Sequence, residues 1–148
     1  TRYFLIEKST DTHVDFDLAL AKKKSNENPV YYIQYAHARI CSLLEKLTIG
    51  DITNHTEDIH FEMTERHLLS HAVKLNDEIQ EAVNQLAPYK IAQYTYELAR
   101  LFHSFYQACP IIKATESVQR NRIIILKCIK KQLVFCLNLL GISAPAKM

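Results

Sequence analysis

The sequence predicts an all-α fold, a helical bundle of four long helices with a short N-terminal appendage. Two observations carry this. Only two glycines and four prolines occur in 148 residues, too few for the tight turns of an all-β protein and suited to long helices with few connections. Apolar residues also recur at three- and four-residue intervals through most of the chain, the period that buries one face of a helix.

The elements follow in order. Thr1 to Lys8 opens directly on an apolar pattern with no capping residue ahead of it, as if an element of a longer protein were entered partway. Ser9-Thr10-Asp11-Thr12 breaks it, and Thr12 to Asp17 alternates in the manner of a short extended stretch. Asp17 can cap a brief helix running to Lys24. The first 28 residues therefore read as an appendage belonging mainly to another part of a longer chain.

Asn28-Pro29 is a strong helix start, an N-cap side chain followed by proline where its missing N–H costs nothing. Ile33, Ala36, Ile40, Leu43 or Leu44 and Leu47 form a stripe suited to burial, while Tyr32, Tyr35, Ala36 and Arg39 share another. Rings and a guanidinium interleaved on one helix can stack unpaired bases. The helix should end near Gly50, with a polar loop from Gly50 to Glu62. Thr64 is expected to cap one continuous helix through Leu68, Ala72, Leu75 or Asn76, Ile79, Val83 and Leu86.

Pro88 ends that helix and opens the next. Ile91, Tyr94 or Thr95, Leu98, Phe102, Phe105 and Cys109 form its buried stripe, leaving Tyr89, Tyr96, His103 and Tyr106 for other faces. After Pro110, the last helix runs from about Ser117 to Leu140. It is apolar nearly all round over Ile123–Leu126 and Leu133–Leu140, so its C-terminal half is expected to be the most buried strut, ended by Gly141 in a left-handed turn. No internal repeat or low-complexity segment interrupts this pattern.

Composition narrows the function classes. With 48% hydrophobic and 23% charged residues the chain has ordinary globular composition and the size of one domain. Every apolar run is broken well before the ~18 residues a membrane span needs, and the N-terminus lacks a secretory signal, which points to a soluble cytoplasmic protein. Cys41, Cys109, Cys128 and Cys136 lack paired spacing and sit in hydrophobic helical contexts, so buried free thiols are expected. His67 and His71 make a metal half-site at i and i+4, but no third ligand is evident and a solvated helix face is the better reading. The net charge of +2 hides an asymmetry: Pro88 to Met148 carries nine basic residues against two acidic, while the preceding 87 residues carry nine against fourteen. A phosphate-facing half and a solvated half would produce such polarity.

From the residues, three classes stay open. These are an RNA-binding module, a helical adaptor using its tyrosine face for a protein partner, and a metal enzyme built on His67 and His71 near Glu62 and Glu65.

The wording of Asn28-Pro29-Val30-Tyr31-Tyr32-Ile33-Gln34-Tyr35-Ala36-His37-Ala38-Arg39-Ile40 resembles the opening helix of the anticodon-binding domain of bacterial arginyl-tRNA synthetases. Three further segments agree in order. Arg2-Tyr3-Phe4-Leu5 with Ser9 to Asp17 resembles the end of that family's catalytic region. Lys90 to Tyr94, Glu97 to Arg100 and His103 to Tyr106 resemble its middle helix, and Leu139 to Met148 its C-terminus. Gly50 to Ala87 is the least diagnostic part. Ala146 stands where the family more often has an acidic residue, and Ile123 to Lys131 is richer in lysine and isoleucine than the family pattern.

The resemblance implies a class I synthetase that joins arginine to its tRNA using ATP with Mg²⁺. The HIGH-like signature and KMSK-like loop of that chemistry are absent from these residues, so no catalytic residue is expected here. It further implies that residues 1–28 end a catalytic region of the same chain and 29–148 form the anticodon-binding bundle, in a monomer without membrane contact. Every arginine codon has guanine in the middle, so every arginine tRNA presents cytosine at the centre of its anticodon. The family pattern assigns that base to Tyr35, Arg39, Tyr106 and Met148, whose terminal carboxylate could accept from the cytosine amino group. Tyr32 and Tyr94 read as packing residues, and His37 as a buried hydrogen-bonding group. Tyr106 alone could serve either packing or recognition.

Overall fold

The computed structural model describes residues 1–9, 12, 16–47 and 60–148. Among the described residues seven helices follow in order: α1 (Arg2–Ile6), α2 (Leu18–Lys22), α3 (Pro29–Lys46), α4 (Met63–Ala72), α5 (Leu75–Asn84), α6 (Tyr89–Ala108) and α7 (Glu116–Leu139). No strand occurs among the described residues, and the all-α bundle is as expected. Most of the alternating stretch Thr12–Asp17 and of the polar loop Gly50–Glu62 lies outside the described residues. No described helix is long and apolar enough to cross a membrane.

Asn28 starts α3 and also ties it to α2. Its Oδ1 accepts from the amides of Val30 and Tyr31 at 3.0 and 3.4 Å, while Nδ2 donates to the carbonyls of Ala21 and Lys23 at 3.1 and 3.0 Å. Such a cap satisfies amides that have no partner inside the helix. Asp17 caps α2 through the Leu20 amide, and α2 stops at Lys22, two residues short of the expected Lys24. α3 ends at Lys46, before Gly50, because Leu47 turns extended and packs back against the core.

The expected helix from Thr64 to Leu86 is two helices. In an unbroken helix the Ala72 carbonyl would accept from the amide four residues on. Here it accepts instead from the Tyr94 hydroxyl at 3.3 Å and from Gln132 Nε2 at 2.9 Å, and the chain turns at Val73 and Lys74. The turn lets both α4 and α5 lie on α6. It also rotates the stripe: Ala82 is buried in α5, while Val83 and Leu86 are exposed. The N-cap of α4 is Glu62, not Thr64. Its amide donates to Glu65 Oε2 at 2.7 Å, and Thr64 faces the Cys109 sulfur.

The central helix is α6, not the end of α7. It packs against α1, α3, α4, α5 and α7, and Ile91, Tyr94, Thr95, Leu98, Phe102 and Phe105 are buried in it. α7 buries one face only, through residues such as Leu126, Ile129, Leu133 and Leu137; Ile124, Phe135 and Leu139 are exposed. Cys128 shares that outer face and is exposed, whereas the other three free cysteines are buried as expected.

α1 docks on this bundle. Tyr3 lies in the core with its hydroxyl donating to the Ala92 carbonyl at 3.3 Å, and burial pushes its phenol above the ordinary value. Gly141 ends α7 with φ +65°, as expected, and its carbonyl accepts from Arg2 Nη1 at 3.2 Å. A Cβ at position 141 would stand 1.9 Å from that same Arg2 nitrogen. The left-handed backbone favours glycine there, whereas the flexible Arg2 side chain could move aside for a Cβ.

Candidate nucleic-acid interface

The pitch of α3 sorts its residues into three faces. Ile33, Ala36 and Ile40 enter the core with no exposed surface. Tyr35 and Arg39, one turn apart, point instead toward Tyr106 on α6. The Arg39 Cζ lies 4.8 Å from the Tyr35 ring centroid and 4.6 Å from that of Tyr106. A guanidinium placed against two rings is held by cation–π attraction while its N–H edges remain in the ring plane's periphery. Arg39 has no hydrogen bond or ion pair among the described residues. Its donors are therefore not spent on any other described residue.

Tyr35 belongs to a row of rings. It is parallel to Tyr31 at 6.3 Å and nearly parallel to His103 at 5.9 Å, while Tyr32 contacts His103 at 4.6 Å and Tyr96 at 5.4 Å. Tyr32 thus packs, as expected, between α3 and α6. Burial holds the His103 imidazole below the usual histidine value; a Tyr32 backbone hydrogen bond opposes this and the nearby Arg39 charge adds to it. His103 Nε2 is buried without a hydrogen-bond partner. Burial thus favours the neutral imidazole behind Tyr35.

The third face of α3 holds the C-terminal tail. Gln34 Nε2 donates to the Ser143 carbonyl at 2.9 Å, and His37 Nδ1 donates to the Pro145 carbonyl at 2.9 Å. A carbonyl only accepts, so the His37 proton sits on Nδ1, leaving Nε2 facing the Cys41 sulfur at 3.6 Å. His37 is buried and hydrogen-bonded, as its sequence context suggested. These two contacts lay the tail along α3 and bring Met148 back beside Tyr35 and Arg39.

A cavity of about 430 Å³ results, and Tyr35, Arg39, Tyr106 and Met148 all line it. Ser42, Lys46 and Lys147 complete its polar wall. Tyr106 does two things: it packs on the core beside Phe102 and turns its ring to Arg39. Met148 is about half exposed at the mouth, at 52%. Ser42 and Lys46 were legible in principle, since 35, 39, 42 and 46 follow one helical stripe. Lys147 and the tail anchor Gln34 had no sequence signal of that kind. Lys22, Lys23 and Lys24 border an adjoining cavity with Tyr31 and Met148, although Lys23 is paired with Glu27.

Of the histidine pair, His71 is used structurally. His71 Nε2 donates to the Tyr94 carbonyl at 3.1 Å and its ring stacks on Tyr94 at 4.4 Å, so His71 is half-buried rather than on a solvated face; His67 is exposed. Glu65 is buried and bonded to Arg122 Nε at 2.7 Å. No group of three or more His, Cys, Asp or Glu side chains able to hold a metal occurs among the described residues.

Comparison with known proteins follows this geometry. Residues 33–148 match the DALR anticodon binding domain family. The arginine–tRNA ligase of Carboxydothermus hydrogenoformans is 43% identical over 152 residues, and that of Desulforamulus reducens 41% identical over 152. Each alignment takes in 99% of this chain but 27% of the relative, so the chain spans about a quarter of their length. The solved arginyl-tRNA synthetase of Thermus thermophilus superposes with a TM-score of 0.86 at 26% identity, covering 99% of this chain and 26% of that one.

Proposed function

Because this chain belongs to the DALR anticodon-binding domain family, we propose that it reads the anticodon loop of arginine tRNA for an arginine–tRNA ligase. The observation that carries the reading is the meeting of Tyr35, Arg39, Tyr106 and Met148 in one cavity from three separate parts of the chain. Single-stranded RNA bases are held by stacking and by hydrogen bonds to their edges. The tyrosine rings offer faces, Arg39 a planar donor fork already oriented by two rings, and Met148 an apolar contact with a backbone oxygen as acceptor. Lys46 and Lys147, which line the same cavity, supply positive charge suited to phosphate.

Cytosine suits this set. Its exocyclic amino group donates, which a backbone oxygen at Met148 would accept; uracil would present a carbonyl oxygen there and leave both acceptors facing each other. A stacked base is worth about 1–3 kcal/mol, so ring contact supplies affinity and the polar edge supplies discrimination. In this reading residues 1–28 end the catalytic region and 29–148 form the recognition bundle. The ATP- and Mg²⁺-dependent joining of arginine then belongs to the rest of a longer chain, and no step of it is assigned to these residues.

The test is a binding titration of the purified chain with arginine tRNA transcripts differing only at the central anticodon base. Replacing cytosine there is expected to cost about tenfold or more, with affinity falling steeply in salt. Equal binding to every transcript sinks the reading. Indifference to RNA at low salt, with one defined protein partner retained, would move the chain to the adaptor class.

A further inference from the structure

Helix α7 has two apolar faces. The inner one, with Leu126, Ile129, Leu133 and Leu137, is buried against the bundle. On the outer one Ile124, Cys128, Phe135 and Leu139 are all exposed. Their spacing, with Lys131 between Cys128 and Phe135, follows a single stripe along the helix. Exposed apolar residues scattered singly are ordinary, whereas a continuous stripe is what a partner surface needs.

Beside this stripe lies a cavity of about 580 Å³ between the end of α3 and α7. Leu44, Val134 and Phe135 give it an apolar wall, and Lys127, Lys130 and Lys131 line it as well. Its α7 residues run from Lys127 to Asn138, about three helical turns or ~16 Å. It shares no lining residue with the cavity that holds Arg39 or with the one bordered by Lys22 to Lys24. No acidic residue lines it, and none of its three lysines has an ion pair among the described residues.

Charge and shape together select the occupant. The unpaired ammonium groups call for anions, while the wall of Leu44 and Val134 calls for apolar side chains. A phosphate backbone has no apolar face to bury there. Phe135 is also a lone ring, without the second ring and guanidinium that meet at Tyr35, Arg39 and Tyr106. A second copy of α7 would bring its own lysines against these, and like charges so placed repel. An amphipathic helix bearing carboxylates beside its apolar stripe satisfies both demands, in the manner of a helix laid into a groove.

We propose that the outer face of α7 docks an acidic amphipathic helix of a partner protein. Its apolar stripe seats between Leu44 and Phe135, and its carboxylates meet Lys127, Lys130 and Lys131. Because the two cavities share no residue, the partner leaves the cavity of Tyr35 and Arg39 open, and both sites are filled together.

The experiment titrates the purified chain with two labelled helical peptides of about 15 residues, or four turns. Both carry leucine at every third or fourth position; one has glutamate at the flanking positions and the other lysine. The glutamate peptide is expected to bind about tenfold tighter or more. Lys127→Glu/Lys131→Glu, at two exposed positions, is expected to reverse that order, while affinity for arginine tRNA changes less than about twofold because the sites are separate. Phe135→Ser, with an unchanged melting temperature, should weaken the glutamate peptide about tenfold. The proposal is overturned when the chain does not distinguish the peptides, when the order survives charge reversal, or when tRNA affinity falls as far as peptide affinity, which assigns the lysines to RNA. Lysine-dependent binding to phosphatidylglycerol vesicles without peptide binding overturns it in favour of a lipid surface. A dimer in light scattering that Phe135→Ser abolishes overturns it in favour of a second copy.

Discussion

The imidazole of His37 donates to the Pro145 carbonyl across 2.9 Å, joining two residues 108 positions apart. That contact fixes where the chain's last residues lie. His37 is on the same helix as Tyr35 and Arg39, so the tail is positioned by the element that also lines the cavity.

Replacing His37 by Ala is expected to weaken binding of arginine tRNA about as much as deleting Lys147 and Met148. The two changes together should cost little more than either alone, because both act by removing the tail from the cavity. Loss of the buried hydrogen bond should also lower stability by about 1–3 kcal/mol. Fully additive binding losses in the double-mutant cycle would show that His37 does not act through the tail.

Arg39→Lys keeps the charge and discards the plane. A lysine cannot stack on two rings or present a fork of donors, so the variant is expected to lose about tenfold or more in RNA affinity with the salt slope unchanged. Arg39→Ala should lose affinity and lower the slope as well. A lysine variant that binds as tightly as the original would reduce Arg39 to a point charge.

Glu65 and Arg122 form a buried pair, at 2.7 Å with both side chains nearly covered. Breaking such a pair from one side leaves an uncompensated charge and costs about 3–5 kcal/mol. Glu65→Gln is therefore expected to shift the urea midpoint strongly, whereas Glu65→Met with Arg122→Met should recover much of the loss. Recovery should be incomplete, because Arg122 also holds the Pro110 carbonyl.

Burial lowers the folded-state pKa of His103 below its ordinary value of 6.5. Below about pH 6.5 the unfolded chain then binds this proton more readily than the folded one, so His103 makes stability fall as pH falls through that window and leaves it unaffected above. Thermal melts of the chain and of a His103→Phe variant, compared from pH 7.5 to 5, should diverge only in the acidic half, with the variant losing less. Parallel curves would place the histidine in an ordinary solvated state.

Helical spacing put Tyr35 and Arg39 on one stripe with Tyr32 and Ala36, whereas only the resemblance to a family pattern singled out Tyr35, Arg39, Tyr106 and Met148 as a set. Tyr35 and Arg39 stand one turn apart beyond an Asn28-Pro29 start, and neighbouring positions 33, 36 and 40 were visibly apolar. The buried stripe of α6 from Ile91 to Cys109 was readable for the same reason. Periodicity reports the angle of a residue around its own helix, however, and says nothing of which helix lies alongside. For that reason Val83 and Leu86 looked buried, and the apolar end of α7 looked central, when the structure exposes Val83, Leu86, Phe135 and Leu139.

The sequence by itself determined the helical class, the caps at Asp17 and Asn28, the left-handed stop at Gly141 and the outward pairing of Tyr35 with Arg39. All of these are set by contacts within about one helical turn, where side-chain chemistry and backbone geometry act locally. Tertiary structure decided the rest. It broke the chain at Val73 and Lys74 because Tyr94 and Gln132 claim the Ala72 carbonyl, and it made α6 the hub. It also closed the cavity, since Tyr106 meets Arg39 and Met148 lines the same space only when α6 packs on α3 and Gln34 and His37 hold the tail. Those contacts join residues about 65 to 110 positions apart, and their energies exist only once the core has brought the helices together.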